Sequence, residues 1–422
     1  MNASTTAATT AHPRPASRRW ARIITALALA MVALVKLASP AAADTRRVFH
    51  IAPNGTARAD GSSWTKAGTL ADLPRFVQQA EPGDEVWIRG DAGAYRTKGA
   101  VTISAGGSTS KPVVIRGVDA KGTSRATPTF VGTRTAPYRV NGNPGTELFK
   151  LLTGADNLEF RNMAFANQGN GAFRVAGKSS PLTISDMRAT NVRRFFENNA
   201  PTGQPVTISG LNISNVTVKG FSRNVIRLQD NTHNVTIRNV VGDSQRQDRD
   251  RFAIGVHLIG TVHNVLLHRV TMRNSHDTVT GPYWNGDGFA AERGTYNLQF
   301  VETVAAGNTD AGYDLKSTKT TLLRTVASDN KRNYRFFAQA NLIDSVGRNP
   351  HKRGGTGSQA QVWAGSNARV RVTDSTFTDR RSNTFVFAVE ARAAMTTKNV
   401  KVTKARTART AVVEKNAQLR RL

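Results

Sequence analysis

A short segment recurs along most of the chain, and this repetition limits the fold more than any other feature of the sequence. Related segments begin at Asn157 (NLEFRNMAFAN), Pro181 (PLTISDMRATN), Pro205 (PVTISGLNISN), Asn234 (NVTIRNVVGD), Asn264 (NVLLHRVTMRN), Asn297 (NLQFVETVAAGN), Thr320 (TTLLRTVASDN), Ala340 (ANLIDSVGRN) and Arg369 (RVRVTDSTFTD). Their starts lie 24, 24, 29, 30, 33, 23, 20 and 29 residues apart. Each has alternating apolar positions followed by a polar turn, too short for a helix and too regular for a loop. Such a unit cannot bury its inward residues alone. Stacked coil on coil at about 4.8 Å, its strands form parallel sheets around one continuous apolar core. The expected fold is all-β, a single-stranded parallel β-helix, with insertions enlarging the turns where the spacing grows. A β-propeller would need longer four-stranded units, and a leucine-rich horseshoe would need a Leu consensus that is absent.

Ahead of the repeats the chain reads differently. Arg14, Arg18, Arg19 and Arg22 precede the apolar run Ile23 to Val35, and Pro40-Ala41-Ala42-Ala43 supplies small residues, so 1–43 reads as an export signal. A membrane anchor is the rival reading, but a run of 13 residues, apolar except for Thr25 and closed by Lys36, is short for a span. Residues 44–156 are expected to form an N-terminal cap and the first coils. They hold strands at Arg47 to Ala52, Glu85 to Arg89 and Val113 to Arg116, and one short α-helix from Leu70 to Ala80. The repeats fill 157–390, and 391–422 reads as a basic C-terminal coil or tail.

Composition then narrows the partner. The chain carries 58 Lys and Arg against 29 Asp and Glu and no Cys. Without its first 43 residues it keeps 53 basic against 29 acidic side chains, a net charge of +24. The absence of Cys excludes a disulfide scaffold, a thiolate metal site and a cysteine nucleophile. A field of this sign concentrates anions. Because the chain is expected outside the cytoplasm, secreted or periplasmic, an acidic polysaccharide is the expected partner, with no nucleic acid and no integral membrane span. A monomer is expected.

Each repeat also has a second strand. Val225-Ile226-Arg227-Leu228, Gly255-Val256-His257-Leu258, Gly288-Phe289-Ala290-Ala291, Gly312-Tyr313-Asp314-Leu315 and Asn333-Tyr334-Arg335-Phe336 align by eye. Their outward positions stack as Arg227, His257, Ala290, Asp314 and Arg335, with Glu292 and Lys316 as outward neighbours. Phe289, Tyr313 and Tyr334 read as an inward stack. Tyr283, Trp284 and Trp363 are the better candidates for a platform under a sugar ring.

Trp284-Asn285-Gly286-Asp287-Gly288-Phe289-Ala290-Ala291-Glu292 and, one coil on, Asn308-Thr309-Asp310-Ala311-Gly312-Tyr313-Asp314-Leu315 resemble the paired motifs of family-9 pectate lyases. These are secreted parallel β-helix polysaccharide lyases that hold calcium with clustered aspartates. The resemblance covers roughly residues 281–338. It implies Asp287, Asp310 and Asp314 as ligands of Ca²⁺, with Ala311 where the family has a fourth aspartate, and Arg335 where the family has its catalytic Lys. Clustered carboxylates repel unless a cation lies among them, and a hard ion with oxygen ligands suits the place. A bound uronate would then lose its C5 proton to a base, here Arg335 or alternatively Lys316 or Lys331, while the 4-linked sugar departs. Substrate contacts are expected from Lys316, Lys331, His257, Arg227 and Glu292. The competing reading is structural, because Asp-Gly and Asn-Thr-Asp are common turn sequences and Asp314 can simply pair with Arg335.

The expected function is therefore calcium-assisted β-elimination on a uronic-acid polysaccharide. The alternative is a β-helix that binds acidic polysaccharide without cleaving it. A polygalacturonase-type hydrolase is disfavoured, because the motifs that should follow Asn308-Thr309-Asp310 are missing.

Overall fold

The computed structural model describes residues 46–422 except 140, 141, 201, 202, 248, 249 and 280. The expected export signal lies outside the described residues. Among the described residues the chain forms 31 β-strands and one α-helix. It is a parallel β-helix: among the described residues every ladder between these strands is parallel, and the one antiparallel bridge, Asp277 with Asn285, lies in a loop.

The strands stack in three columns. The first runs from Val48–Ile51 through Glu85–Arg89 and Val113–Val118 to Gln418–Arg421. The second runs from Tyr95–Arg96 to Lys401–Thr403, and the third from Val101–Ile103 to Arg409–Val413. Leu182–Asn198 passes through all three without a break, pairing Leu182 with Leu158, Met187 with Met163 and Phe196 with Phe173.

The recurring Asn or Asp of each repeat makes the corner between the first and second columns. Asn162, Asp186, Asn215 and Asn239 have φ of 54°, 59°, 55° and 52°, a left-handed conformation these short polar side chains tolerate best. Stacked, their side chains also bond each other: Asn215 Nδ2 donates to Asp186 Oδ1 at 2.9 Å and Asn239 Nδ2 to Asn215 Oδ1 at 3.1 Å. In the next three coils the corner residues are Arg269, Glu302 and Arg324, with φ of 55°, 54° and 52°. An ion-pair ladder replaces the amide ladder there, with Glu302 2.9 Å from Arg269 Nε and 3.0 Å from Arg324 Nη2.

The cap helix spans Leu73–Gln79 and buries Leu73, Phe76 and Val77 over the open end of the core. It is shorter than expected because Leu70–Asp72 forms a 3₁₀ turn, in which Asp72 Oδ2 accepts from Thr69 N and Oγ1, and Ala80 is extended. Two further expectations need correction. The third repeat does not start at Pro205: Leu211 pairs with Leu182 on one side and Val235 on the other, so the residues before Ser209 belong to an enlarged turn. Nor do residues 391–422 leave the solenoid as a tail, since Ala394–Lys398, Lys401–Thr403, Arg409–Val413 and Gln418–Arg421 extend all three columns.

Inside the third column Phe289, Tyr313 and Tyr334 stack face to face, with centroids 4.9 and 5.2 Å apart and planes within 10° and 9°. The two hydroxyls are satisfied, Tyr313 by Thr303 Oγ1 at 2.9 Å and Tyr334 by Val346 O at 3.0 Å. Replacing Tyr313 by Ala opens a cavity in the middle of this stack and is expected to lower stability by about 3–5 kcal/mol in urea unfolding. Tyr313→Phe keeps the ring and should cost only about 1–3 kcal/mol, the worth of a hydrogen bond lost at a buried hydroxyl.

Candidate active site

The outward face of the third column carries the chemistry. Its register joins Arg227 to His257, His257 to Ala290, Ala290 to Asp314, Asp314 to Arg335 and Arg335 to Trp363, the column drawn from sequence. Upstream the same column continues through Glu197, Arg174 and Lys150.

Strict alternation fails where the chain turns into this column. Asn333 and Tyr334 are consecutive and both face inward, Asn333 Nδ2 donating to Gln361 Oε1 at 2.8 Å and Tyr334 lying in the aromatic stack. The residues just before them therefore turn outward at the corner. This places Lys331 and Arg332 beside Asp310 of the preceding coil.

Asp287, Asp310, Asp314 and Arg335 meet at this point. Arg335 Nη1 lies 3.6 Å from Asp314 Oδ1 and 3.7 Å from Asp310 Oδ2. Asp310 Oδ1 faces Arg332 Nη1 at 3.3 Å and Lys331 Nζ at 3.5 Å. Asp287 Oδ1 accepts from the backbone N–H of Ala311 at 2.8 Å. The cluster was expected on an open flank, but the three aspartates are only 7, 2 and 6 % exposed. Tyr283 covers them. Its hydroxyl donates to Asp310 Oδ2 at 2.6 Å and accepts from Arg332 Nη1 at 2.6 Å and Arg335 Nη1 at 3.2 Å, while Lys331 Nζ lies 3.9 Å from its ring centroid.

A second chain of contacts runs along the face. Lys316 Nζ bonds both Glu292 oxygens at 2.9 and 2.7 Å and lies 3.5 Å from Asp314 Oδ2. Glu292 Oε1 is 3.6 Å from His257 Nε2. Arg227 stands apart, three coils upstream of Asp314, with Glu197 Oε2 3.5 Å from its Nη1.

The other aromatic candidates are engaged. Trp363 Nε1 donates to Glu390 and its ring underlies Arg332, the guanidinium carbon 4.4 Å from the centroid. Trp284 lies under the 354–355 turn so closely that a Cβ on Gly354 would come within 2.3 Å of its ring.

Electrostatics separate these groups. Burial raises the carboxyl of Asp287 well above the ordinary range, and the fields of Asp310 and Asp314 add to it. Burial likewise raises Asp314, although Arg335 and Lys316 oppose the shift. Glu292 is lowered to about 2, chiefly by His257, whose Nε2 lies 3.6 Å away, and by the hydrogen bonds from Lys316. Burial pulls Arg335 and Lys316 down, but Asp314 and the other anions beside them outweigh it, and both are held more firmly protonated than usual. Lys331 goes the other way, pushed down by burial and by Arg332. Burial also lowers His257. Arg335 is therefore poorly suited to take up a proton, and its place between two carboxylates is that of an electrostatic clamp.

Two members of the cluster carried no such role in the sequence reading. Tyr283 was a candidate sugar platform and proves to be the hub of the hydrogen bonds. Arg332 was missed, because strict alternation back from the inward Tyr334 assigns it to the interior; its only signal was adjacency to Lys331 at the start of a strand.

No protein-family model matches the chain, and no curated protein sequence is similar to it. Solved structures are similar in fold. The A-module of mannuronan C-5 epimerase AlgE4 from Azotobacter vinelandii has a TM-score of 0.53 at 11% identity, over 83% of this chain and 93% of that one. The catalytic domain of GH87 α-1,3-glucanase has a TM-score of 0.53 at 13% identity, over 90% of this chain and 70% of that one. Pectate lyase Pel9A has a TM-score of 0.45 at 15% identity, over 81% and 78%. Among the described residues no helix is long and apolar enough to cross a membrane.

The raised carboxyl of Asp287 has a testable sign. Above the ordinary carboxylate range the unfolded chain ionises freely while the folded chain resists, so this group weakens the fold as pH rises. Asp287→Asn keeps an acceptor for Ala311 and removes that penalty. It should melt at a higher temperature than wild type at pH 7 to 8, with the gain disappearing below about pH 4, where both states are protonated. Glu292 behaves oppositely: its contribution is present above the ordinary value of 4.5 and is lost as pH falls toward about 2.

Proposed function

We propose that the protein is an exported enzyme acting on a uronic-acid polysaccharide, by abstraction of the C5 proton and β-elimination. The observation that carries this is the buried cluster itself, in which Arg335 bridges Asp310 and Asp314 under Tyr283 midway along a basic face. Perturbed ionisable groups that cost stability and converge on one point are the mark of a working site rather than of a scaffold.

In this reading Arg335 and Lys316 neutralise the substrate carboxylate, which makes the C5 proton more acidic. The proton acceptor is Lys331, the one basic side chain in contact with Asp310 whose environment favours the neutral form. Its amino group lies against the face of Tyr283, so substrate reaches it when that ring is displaced.

A calcium ion is part of the proposal, and the residues fit one. Asp314 Oδ1 is buried without a hydrogen bond, and Asp287 and Asp314 are both raised, which is the state of carboxylates short of positive charge. Among the described residues no three acidic or histidine side chains are grouped to hold a metal by themselves. Asp287 and Asp314 would hold the ion, with Asp310 tied to its own cations and with substrate or water oxygens completing the shell. Bound there, calcium would add to the neutralisation of the substrate carboxylate.

One observation favours a second reading, hydrolysis. A carboxyl kept protonated beside other carboxylates is also the arrangement of a glycosidase general acid.

Full chain freed of residues 1–43 should be incubated with polygalacturonate and with alginate. Ultraviolet absorbance from an unsaturated uronate end is the expected product signal, and Arg335→Ala should lower it roughly 100-fold or more. New reducing ends without absorbance would mean hydrolysis, and tight binding without product would mean a binding protein. Millimolar calcium should raise the melting temperature relative to chelator, and Asp314→Asn should abolish that difference; equal melting with and without calcium would remove the ion from the proposal.

A further inference from the structure

The two register columns that build the aspartate cluster carry a different charge pattern three coils earlier. Arg223 precedes Asn224, which pairs with Ile254 and through it with Asp287, so Arg223 lies where the chain turns into the third column, as Asp310 does downstream. Arg227 occupies the position of Asp314. Around them, the guanidiniums of Arg174, Arg193, Arg194, Arg223 and Arg227 share three carboxylates, Glu147, Glu197 and Asp250.

The closest pairs engage each of those carboxylates, although Glu197 Oε2 is left without a hydrogen bond. Arg174 takes Glu147 at 2.7 Å, Arg193 takes Asp250 at 2.9 Å and Arg194 takes Glu197 at 3.3 Å. Arg223 and Arg227 are left with contacts of 4.0 and 3.5 Å, and among the described residues neither guanidinium donates a hydrogen bond. Both are partly exposed, 32 and 23 %. The Arg223 guanidinium is pushed down by burial and by Arg193, the strain expected where positive charge lacks an anion. On the intervening coil Phe252 is 46 % exposed, an apolar surface of the kind that packs against a sugar face.

We propose that Arg223 and Arg227 form a second anion site, which receives a carboxylate of the same polyuronate chain three coils upstream of the aspartate cluster. The inference rests on the polysaccharide reading and adds a direction and a minimum length to it. At about 4.8 Å per coil the two sites stand about 14 Å apart, so only an oligomer of several sugars spans them.

The test compares affinity for oligouronates of increasing length, measured by calorimetry in the Arg335→Ala background, with and without Arg223→Ala. The parent should bind longer oligomers about tenfold or more tighter than a disaccharide, as expected of charge-assisted hydrogen bonds at a second site, and Arg223→Ala should remove that gain. Arg223 makes no hydrogen bond that holds the fold, and Arg227→Gln provides an independent variant at the same site. The length dependence of kcat/KM in the otherwise wild-type chain gives a second measurement. Retention of the full gain in both Arg223→Ala and Arg227→Gln would overturn the inference while leaving the polysaccharide reading intact. Failure of the wild-type chain to bind any oligouronate would overturn both.

Discussion

In-register parallel stacking governs everything else in this molecule. It sets each residue directly against its counterpart one coil away, so a choice made at one position is repeated, opposed or cancelled at the next. Identical amides and identical aromatic rings gain from such repetition, as Asn239 on Asn215 and Tyr334 on Tyr313 show. Identical charges do not, because like charges stacked directly across a ladder repel. Alternation of sign relieves this where opposite charges stack, as in Arg269, Glu302 and Arg324 at the corner and in Arg174, Glu197 and Arg227 on the third face.

The aspartate cluster breaks that rule. Asp287, Asp310 and Asp314 come from consecutive coils, the charges of Asp310 and Asp314 raise the carboxyl of Asp287 and that of Asp310 raises Asp314, and the nearest relief comes from side chains of the following coil, Lys331, Arg332 and Arg335. Buried ion pairs of this kind give little net stability, since desolvation offsets most of the attraction. An apolar ladder like those of the interior would have been the more stable solution. Sequence elements that work against their own fold are where function is to be sought.

Much of this was legible in the sequence, and the parts that were not share a cause. The period-two pattern fixed the fold and the outward column from Arg227 to Arg335, because one face of each strand is buried and a slip of one residue would turn the apolar set to solvent. Asp287, Asp310 and Arg332 lie where the chain turns a corner and two consecutive residues face inward, so alternation cannot place them. The aspartates were found through the motif resemblance, and Arg332, which has no motif, was not. Pro205 was misplaced for a related reason: PVTIS and LNIS carry the same alternation within one repeat, and only the pairing of Leu211 with Leu182 and Val235 decides between them. The cover over the site was not legible at all. Tyr283 reaches Asp310 across 27 residues from a loop with no periodicity to read.

The distribution of charge along the third face gives the structure a polarity. Upstream, the guanidiniums outnumber their carboxylates and those of Arg223 and Arg227 donate no hydrogen bond among the described residues; at the cluster, Asp287 and Asp314, raised by burial, stand beside Lys316, Arg335 and the cations held on Asp310. A neutral polymer would gain nothing from the first region and little from the second. In the proposed reading a polyanion would gain at both with no movement of the solenoid, because the coil spacing already holds the two regions at a fixed separation. Rigid stacking would then do for a long ligand what a closing domain does for a small one: it would settle the position of the reacting sugar by holding others several coils away.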